Sequence, residues 1–176
     1  MILIITGPSG VGKNTIIDAL SSKMDFKFSI SHTTRPKRVS ELEAKDYYFI
    51  TNDQFKEMID NNEFIEFEEY GGYTYGTSKK ELQQEGLVIL DLEVNGATKL
   101  LKNNPDFVGI FIDIDDSELI NRLKNRGHNS EFINKRMELA SKQRKHKDKY
   151  DYKIENVDIN TSVKEIIDII YKLEDR

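Results

Sequence analysis

A glycine-rich turn near the start of the chain constrains the fold more strongly than any other feature of the sequence. The turn spans Gly7 to Thr15, reads GPSGVGKNT and departs at one position from the pattern G-x-x-x-x-G-K-[S/T]. It follows the run Ile2–Ile5, which is apolar and rich in β-branched residues, as is typical of a buried parallel strand. Apolar residues then recur at helical spacing up to Lys23. A strand, a glycine-rich turn and a helix in this order predict an α/β fold whose first loop binds phosphate.

The residue types in this turn suit an anion. Glycines at positions 7, 10 and 12 allow a tight turn in which successive backbone N–H groups point at one anion. The start of the helix adds partial positive charge, and Lys13 can reach the outer phosphates of a nucleotide. The alternative is an ordinary glycine turn with an exposed lysine, which the preceding strand and the spacing disfavour. The residues expected to bind the phosphates are Gly7, Pro8, Ser9, Gly10, Val11, Gly12, Lys13, Asn14 and Thr15.

Two side chains are expected to bind a magnesium ion. Asn14 stands where Ser or Thr usually supplies a hydroxyl to Mg²⁺, and its amide oxygen can also ligate a hard cation. Asp91 ends the apolar run Leu87–Asp91, and a carboxylate at the end of such a strand can hold Mg²⁺ directly or through water. A helix cap or a turn residue is the other interpretation of Asp91. We therefore expect phosphate binding, with the metal position as the weakest part of the loop.

Composition narrows the class of protein. A chain of 176 residues is long enough for one domain with its own core, and its formal net charge of −5 argues against a general nucleic-acid binder. No apolar run approaches the length of a membrane span, and the first predicted strand leaves no room for a signal peptide. The chain has no cysteine and three scattered histidines, so we expect neither disulfides nor a thiolate or histidine metal cluster. We expect a cytoplasmic protein that binds neither nucleic acid nor membranes.

Apolar runs alternate with helical patterns along most of the chain, which predicts a parallel sheet covered by helices. The predicted strands are Ile2–Ile5, Phe26–Ile30, Leu87–Leu92, Val108–Ile114 and Tyr152–Glu155. The predicted helices are Lys13–Lys23, Asn95–Asn103, Ser117–Asn125, Ser130–His146 and Ser162–Leu173, the last after a cap at Thr161 or Ser162. Residues 32–80 break the alternation with a short helix at Asn52–Asp60 and an aromatic, glycine-rich hairpin at Tyr70–Gly76. We interpret them as an inserted substrate-binding subdomain with its own small sheet.

Polar side chains of this insertion indicate what it binds. Arg35, Arg38 and Tyr47 can all donate hydrogen bonds to phosphate oxygens, although two arginines on an exposed surface explain the spacing equally well. Glu66 is different because it lies among Phe64, Ile65 and Phe67 in an otherwise apolar strand. A carboxylate there can accept the N1–H and N2–H₂ donors of guanine, which adenine lacks. A wrong base would leave buried polar groups unpaired.

A basic arm follows in the last third of the chain. It consists of Arg122–Gly127 and then Lys135-Arg136. Phosphoryl transfer needs positive charge on three equatorial oxygens and a dry site, and mobile arginines on a lid supply both. A pair of helices with exposed basic faces is the alternative, and we prefer it for the lysines between Lys142 and Lys149.

Several separated motifs, in this order, resemble those of the guanylate kinase family. They are Gly7–Thr15, Ser29–Arg35 with Arg38, Lys45–Phe49, Glu63–Glu66, Tyr75–Thr77, Asp91–Gly96, Arg122-Leu123 with Arg126-Gly127, Lys135–Met137 and Tyr150–Tyr152. The resemblance covers essentially the whole chain. It implies one domain over residues 1–176: a three-layer P-loop NTPase core with a parallel sheet (1–31, 81–121 and 149–176), a small mixed α/β insertion that binds the nucleoside monophosphate (32–80) and a helical lid (about 122–148).

The resemblance also implies the reaction and the roles of matching residues. It implies transfer of the γ-phosphoryl group from MgATP to GMP, and to dGMP as well, by positioning and charge neutralisation without a covalent intermediate. ATP and Mg²⁺ are the expected cofactors, the small molecules GMP and ATP the expected partners, and a monomer or a homodimer the expected assembly. The residues implied to bind GMP are Ser31, Arg35, Arg38, Tyr47, Glu66, Tyr75, Thr77 and Glu93. The residues implied to be catalytic are Lys13, Arg35, Arg122, Arg126 and Arg136.

The chain departs from the family pattern at few positions. Asn14 is one, the turn Val39-Ser40-Glu41 replaces a common Pro-Gly, and Glu93 stands where Asp is frequent. Two other functions stay open. A non-catalytic guanylate-kinase-like module that binds protein partners would typically lose Lys13 or the paired arginines, which this chain retains. A related kinase with another phosphorylated acceptor would not need Glu66.

Overall fold

The structure is a computed structural model that describes residues 1–175. In chain order its elements are β1 (Ile2–Thr6), α1 (Lys13–Ser21), β2 (Lys27–Phe28), β3 (His32–Thr33), β4 (Tyr48–Phe49), α2 (Asn52–Asp60), β5 (Phe64–Tyr70), β6 (Tyr73–Ser78), α3 (Lys79–Leu82), β7 (Val88–Asp91), α4 (Val94–Asn103), β8 (Val108–Asp113), α5 (Asp116–Asn125), α6 (Ser130–Arg144), a short 3₁₀ helix (Lys147–Lys149), β9 (Tyr152–Glu155) and α7 (Ile159–Glu174).

The run before the glycine-rich turn forms the central strand of a five-stranded sheet. The strand order is β2-β7-β1-β8-β9, and every pair of neighbours is parallel. β9 has the predicted bounds, whereas β2 is shorter than predicted because it lies at an edge and pairs with β7 only through Lys27 and Phe28. The predicted parallel sheet is confirmed. Since carboxyl ends of parallel strands share one edge, β1, β7 and β8 direct their following loops to the same place.

Alternate side chains of β1 pack on opposite faces of this sheet. Leu3 and Ile5 lie in a core cluster with residues of α1, α5 and α7, whereas Ile4 packs with residues of α4 on the other face. All three side chains are fully buried, as expected for a central strand covered on both sides. The predicted three-layer α/β architecture is therefore confirmed. Within residues 1–175 no helix is both long and apolar enough to cross a membrane.

Helix bounds follow the caps that the structure uses. α2 has the predicted bounds and begins with a capping box between Thr51 and Gln54. α7 begins ahead of the predicted Ser162 because the Asp158 side chain accepts a hydrogen bond from the backbone N–H of Thr161, at 2.9 Å. The predicted cap at Thr161 or Ser162 is wrong. Ser162 is instead buried inside the helix.

Strands of the region that breaks the alternation form a second sheet. Its order is β4-β3-β6-β5, with β3 and β4 parallel and the other pairs antiparallel. Gly71 and Gly72 form the two-residue turn of the predicted hairpin, and both have the positive φ that such a turn requires. Phe55 of α2 stacks on Phe64 of β5, with ring centroids 4.5 Å apart. Aromatic packing thus holds α2 against the small sheet.

Candidate active site

The glycine-rich loop is held in place by backbone geometry and by contacts from distant residues. Gly7 has a φ of 146°, and a Cβ there would lie 2.0 Å from the backbone oxygen of Ile112, so only glycine fits against β8. The Val11 carbonyl accepts hydrogen bonds from Arg122 Nη1 at 3.0 Å and from Asn156 Nδ2 at 2.7 Å. Lys13 Nζ donates to the Gly7 carbonyl at 2.9 Å, which directs the ammonium group back over the loop. These contacts fix an anion-binding loop at the carboxyl end of β1.

Asn156 is a site residue that the sequence reasoning missed. It is almost fully buried just after β9, and its side chain contacts both the loop and α7, since Oδ1 accepts from Ser162 Oγ at 3.0 Å. The signal that indicated Asp91, a polar residue at the end of an apolar strand, does not mark Asn156, because β9 reads YKIE and already ends in a charged residue.

One cavity of about 610 Å³ joins the loop, the second sheet and α6. The predicted site residues that line it are Gly7, Ser9, Gly10, Gly12, Lys13, Asn14, Thr15, Ser31, Arg38, Tyr47, Glu66, Tyr75, Asp91, Glu93, Arg126 and Arg136. It also has lining residues that were not predicted, which are Glu68, Tyr70, Leu92, Leu139 and Gln143. The structure therefore brings most of the predicted site residues, from all parts of the chain, to one space.

Five predicted residues do not line this cavity: Pro8, Val11, Arg35, Thr77 and Arg122. Val11 is fully buried beneath the loop, and Thr77 is fully buried beside Ser31. Arg122 borders a smaller neighbouring cavity of about 260 Å³, which Arg126 and Asn156 also line. The guanidinium of Arg122 is bonded to Glu118, to Val11 and to the Asn156 carbonyl, so it supports the loop from below.

Arg35 is held by the carboxylate of Glu41, in the turn that differs from the family pattern. Its Nη2 and Nη1 lie 2.6 Å and 3.0 Å from the two carboxylate oxygens of Glu41, an arrangement that raises the pKa of Arg35 and lowers the pKa of Glu41. The guanidinium also lies over the Tyr47 ring, 5.5 Å from its centroid. The Glu41 carboxylate accepts a further bond from the backbone N–H of Arg38. Glu41 thus holds the guanidinium of Arg35 and the backbone of Arg38, the two arginines that were predicted to bind phosphate.

Glu66 lies at the opposite end of the cavity from the loop. Burial raises the pKa of Glu66, and hydrogen bonds from Thr77 act against that rise. Gly96, in the first turn of α4, leaves room for this carboxylate, because a Cβ there would lie 3.0 Å from Glu66 Oε2. A carboxylate in this position can accept hydrogen bonds from the edge of a base.

Two further carboxylates lie beside Glu66. Burial raises the pKa of Glu68, the ion pair with Lys99 (Nζ to Oε1 2.9 Å) acts against the rise, and a hydrogen bond with Glu93 adds to it. Glu93 caps α4 by accepting from the backbone N–H of Asn95, and its other oxygen accepts from Gln143 Nε2 at 2.9 Å. This end of the cavity is therefore acidic, whereas the loop end is basic.

Asp91 and Asn14 are the two residues predicted to bind magnesium. Burial raises the pKa of Asp91, and the nearby charge of Lys13 acts against that rise. Both residues line the cavity beside the loop and offer oxygen ligands, which Mg²⁺ prefers. Residues 1–175 contain no cluster of three or more His, Cys, Asp or Glu side chains that could hold a metal.

Comparison with known proteins gives one family. The family model described as guanylate kinase matches residues 1–173. The guanylate kinase of Prochlorococcus marinus subsp. pastoris is 38% identical over 96% of this chain and 96% of the relative, and that of Photorhabdus laumondii subsp. laumondii is 40% identical over 95% and 85%. The crystal structure of guanylate kinase from Anaplasma phagocytophilum superposes with a TM-score of 0.80 at 30% identity, covering 98% of this chain and 85% of that one. A shikimate kinase from Aquifex aeolicus, at 17% identity, 99% and 98% coverage and a TM-score of 0.55, shares the fold alone.

Proposed function

This chain belongs to the guanylate kinase family, and we propose that it transfers the γ-phosphoryl group of ATP to GMP, giving ADP and GDP, with dGMP as a second acceptor. The observation that carries the proposal is that one cavity is lined both by the glycine-rich loop and by the Glu66 carboxylate. A nucleoside monophosphate whose base contacts Glu66 would present its phosphate towards Lys13. An oxygen of that phosphate attacks the γ-phosphorus, and the bond to the β-phosphate oxygen breaks, so that ADP leaves.

The loop end is assigned to ATP. The loop residues 7–15 bind its phosphates through backbone N–H groups, and Lys13 neutralises the charge that develops on the transferred group. Lys13 stays within reach because its partner in this structure is the neutral Gly7 carbonyl. A bond to a neutral acceptor leaves the ammonium charge available to a phosphate.

The insertion end is assigned to GMP. Arg38, Tyr47 and Tyr75 line the cavity and bind the phosphate, with Arg35 beside them in its pair with Glu41. Glu66 accepts the N1–H and N2–H₂ donors of guanine. The remaining residues assigned to frame the base are Ser31, Thr77 and Glu93.

The arginines of the basic arm complete the site around the transferred group. Arg126 ends α5 and Arg136 lies on α6, and both line the cavity. Arg122 acts through the loop, because its guanidinium donates to the Val11 carbonyl. The two positive charges that line the cavity, those of Arg126 and Arg136, neutralise the equatorial oxygens of the transferred group, so that no protein nucleophile is needed.

Asp91 and Asn14 are assigned to Mg²⁺. When bound, the ion would supply positive charge that neutralises the phosphates of ATP. Burial raises the pKa of Asp91, and the positive charge of Lys13 acts against that rise and so favours the carboxylate form that would bind the ion.

The proposal also covers the division of the chain into three parts, the cellular compartment, the assembly and the partners. Residues 1–31, 81–121 and 149–176 form the core, 32–80 the GMP-binding insertion and about 122–148 the lid; the separate second sheet supports the insertion boundaries. We propose a cytoplasmic enzyme that acts as a monomer or a homodimer and has small molecules as its partners. Its net charge of −5 supports the expectation that nucleic acid is not among them.

A coupled assay of ADP formation tests the function. MgATP is supplied with GMP, AMP, CMP or UMP in turn, and turnover is expected with GMP alone. Turnover with another acceptor would assign the chain to a related kinase and remove the guanine-binding role of Glu66. Folded protein that binds GMP without turning over any acceptor would support the non-catalytic module instead.

A further inference from the structure

Arg136 has a partner that joins two separate parts of the molecule. Its Nη1 donates to the hydroxyl of Tyr70, at 2.6 Å, across 66 residues of sequence. Arg136 lies on α6, and Tyr70 is the last residue of β5, beside the hairpin turn. Within residues 1–175 this is the one hydrogen bond that connects α6 to residues 32–80. Both side chains line the main cavity.

The partner of Arg136 is neutral, which distinguishes this arginine from Arg35. Arg35 is paired with the Glu41 carboxylate, whereas no carboxylate of residues 1–175 lies within 4.0 Å of the charged nitrogens of Arg136. The guanidinium instead lies over the Phe132 ring, 4.8 Å from its centroid. A phenol oxygen orients a guanidinium without neutralising it, and a phosphoryl oxygen, which carries charge, is the stronger acceptor. The contact therefore holds the arginine in place and still releases it to the substrate.

Contacts between aromatic rings lead from Tyr70 to the region assigned to the phosphate of GMP. It contacts the Tyr75 ring at a centroid distance of 6.5 Å, and Tyr75 contacts Tyr47 at 5.9 Å. Arg35 lies over Tyr47 in turn. A continuous row of side chains thus leads from the arginine on α6 to the groups that would bind the acceptor phosphate.

We propose that Tyr70 is a positioning residue: its hydroxyl holds Arg136 over the cavity and ties α6 to the GMP-binding insertion, so that this arginine is oriented before the phosphoryl group is transferred. The proposal rests on the function proposed above. Because Tyr70 touches Arg136 and is not assigned to either nucleotide, its loss lowers the rate of the transfer step and leaves the binding of both substrates largely intact.

The test compares two tyrosines of one hairpin. Tyr73 faces Tyr70 across the turn, is similarly exposed, and has no hydrogen bond to α6, so Tyr73→Phe is the matched control for Tyr70→Phe. Tyr70→Phe is expected to lower kcat about three- to tenfold, the size of effect that one hydrogen bond contributes at a solvent-exposed position, with both KM values changed less than about twofold. Tyr73→Phe is expected to match the wild type. Equal kcat values for the two variants would overturn the proposal.

A double-mutant cycle shows whether Tyr70 acts through Arg136. In an Arg136→Ala background, adding Tyr70→Phe is expected to change kcat by less than about 1.5-fold, because the partner is already gone. The same loss in both backgrounds would mean that Tyr70 acts on something else, and the proposal would fall. Thermal melting of each variant, expected within about 1 °C of the wild type since Tyr70 is exposed, excludes unfolding as the cause of lost activity.

A measurement without nucleotides separates this proposal from the proposed function. Hydrogen–deuterium exchange of the α6 amides is expected to be faster in Tyr70→Phe than in Tyr73→Phe, because α6 loses its tie to the insertion. If the wild type does not phosphorylate GMP, the proposed function fails, and the exchange comparison still decides whether the tie exists. Identical exchange in the two variants would show that it does not.

Discussion

The two ends of the cavity are built in different ways. At the loop end, the backbone lies against β8 at Gly7, and the position of the loop depends on glycine geometry and on carbonyl contacts such as that of Val11 with Asn156. At the insertion end, side chains hold one another: Arg35 pairs with Glu41, and Glu68 pairs with Lys99. The first end is rigid through covalent geometry and burial, whereas the second can exchange its internal pairs for contacts with a ligand.

This difference separates affinity for phosphate from the choice of base. Backbone N–H groups and a lysine bind any phosphate chain, so the loop end contributes binding and charge neutralisation without selecting the base. In the proposed function, the carboxylates at the insertion end select a base by the hydrogen-bond donors that it carries. Substitutions at the two ends should therefore change different kinetic parameters.

Removing the lysine of the loop is expected to have the largest effect. Lys13→Ala should lower kcat by about 10³-fold, because a positive charge beside the transferred group is lost from a preorganised site. Binding of GMP, measured by calorimetry, should remain close to that of the wild type, since Lys13 lies at the loop end. Lys23→Ala, at an exposed lysine that follows α1, is the control and should leave both quantities unchanged. Loss of GMP binding in Lys13→Ala would show that the two ends are not independent.

Removing the Glu66 carboxylate at the insertion end should change the KM for GMP. Glu66→Ala is expected to raise the KM for GMP about 100-fold, since two hydrogen bonds from the base to a charged acceptor are lost. The KM for ATP should change far less. Glu69→Ala is the control, because Glu69 is an exposed acidic residue of the same strand. An unchanged KM for GMP would remove the base-binding role of Glu66.

The same difference explains which parts of the site were predictable from sequence. The glycine-rich loop was predictable because its strand, glycines and lysine are consecutive in the chain and form a local pattern. Glu66 was predictable because a carboxylate in an apolar strand is unusual. Asn156, Gln143 and Tyr70 were not, since their partners lie 145, 50 and 66 residues away, and no local pattern specifies such a pairing. The start of α7 was missed because Asp158, Asn160, Thr161 and Ser162 are all residue types that cap helices, and the sequence does not say which of the four does so.

A glycine at the insertion end allows stability and binding to be separated. Gly96→Ala places a Cβ 3.0 Å from Glu66 Oε2, so the carboxylate must shift by a few tenths of an ångström. The KM for GMP should rise about tenfold, because a small displacement of a base-binding group is costly. Thermal stability should stay equal or rise, since alanine favours the helix over glycine by about 0.5–1 kcal/mol. A variant with both weaker binding and a lower melting temperature would mean that the substitution damages α4 and not the position of Glu66.

The smallest effect is expected at the position where the loop departs from its pattern. Asn14→Ser restores the hydroxyl that usually contacts Mg²⁺, while the backbone of the loop keeps its contacts with β8. The Mg²⁺ concentration for half-maximal rate should fall about two- to threefold, because one ligand improves in an ion shell that consists mostly of water and phosphate oxygens. Titration of the rate with Mg²⁺ at fixed ATP measures this, with Asn14→Ala as the comparison that removes the oxygen ligand. If Asn14→Ala matches the wild type, position 14 contributes nothing to the metal, and Asp91 alone supplies the protein oxygen at the loop end.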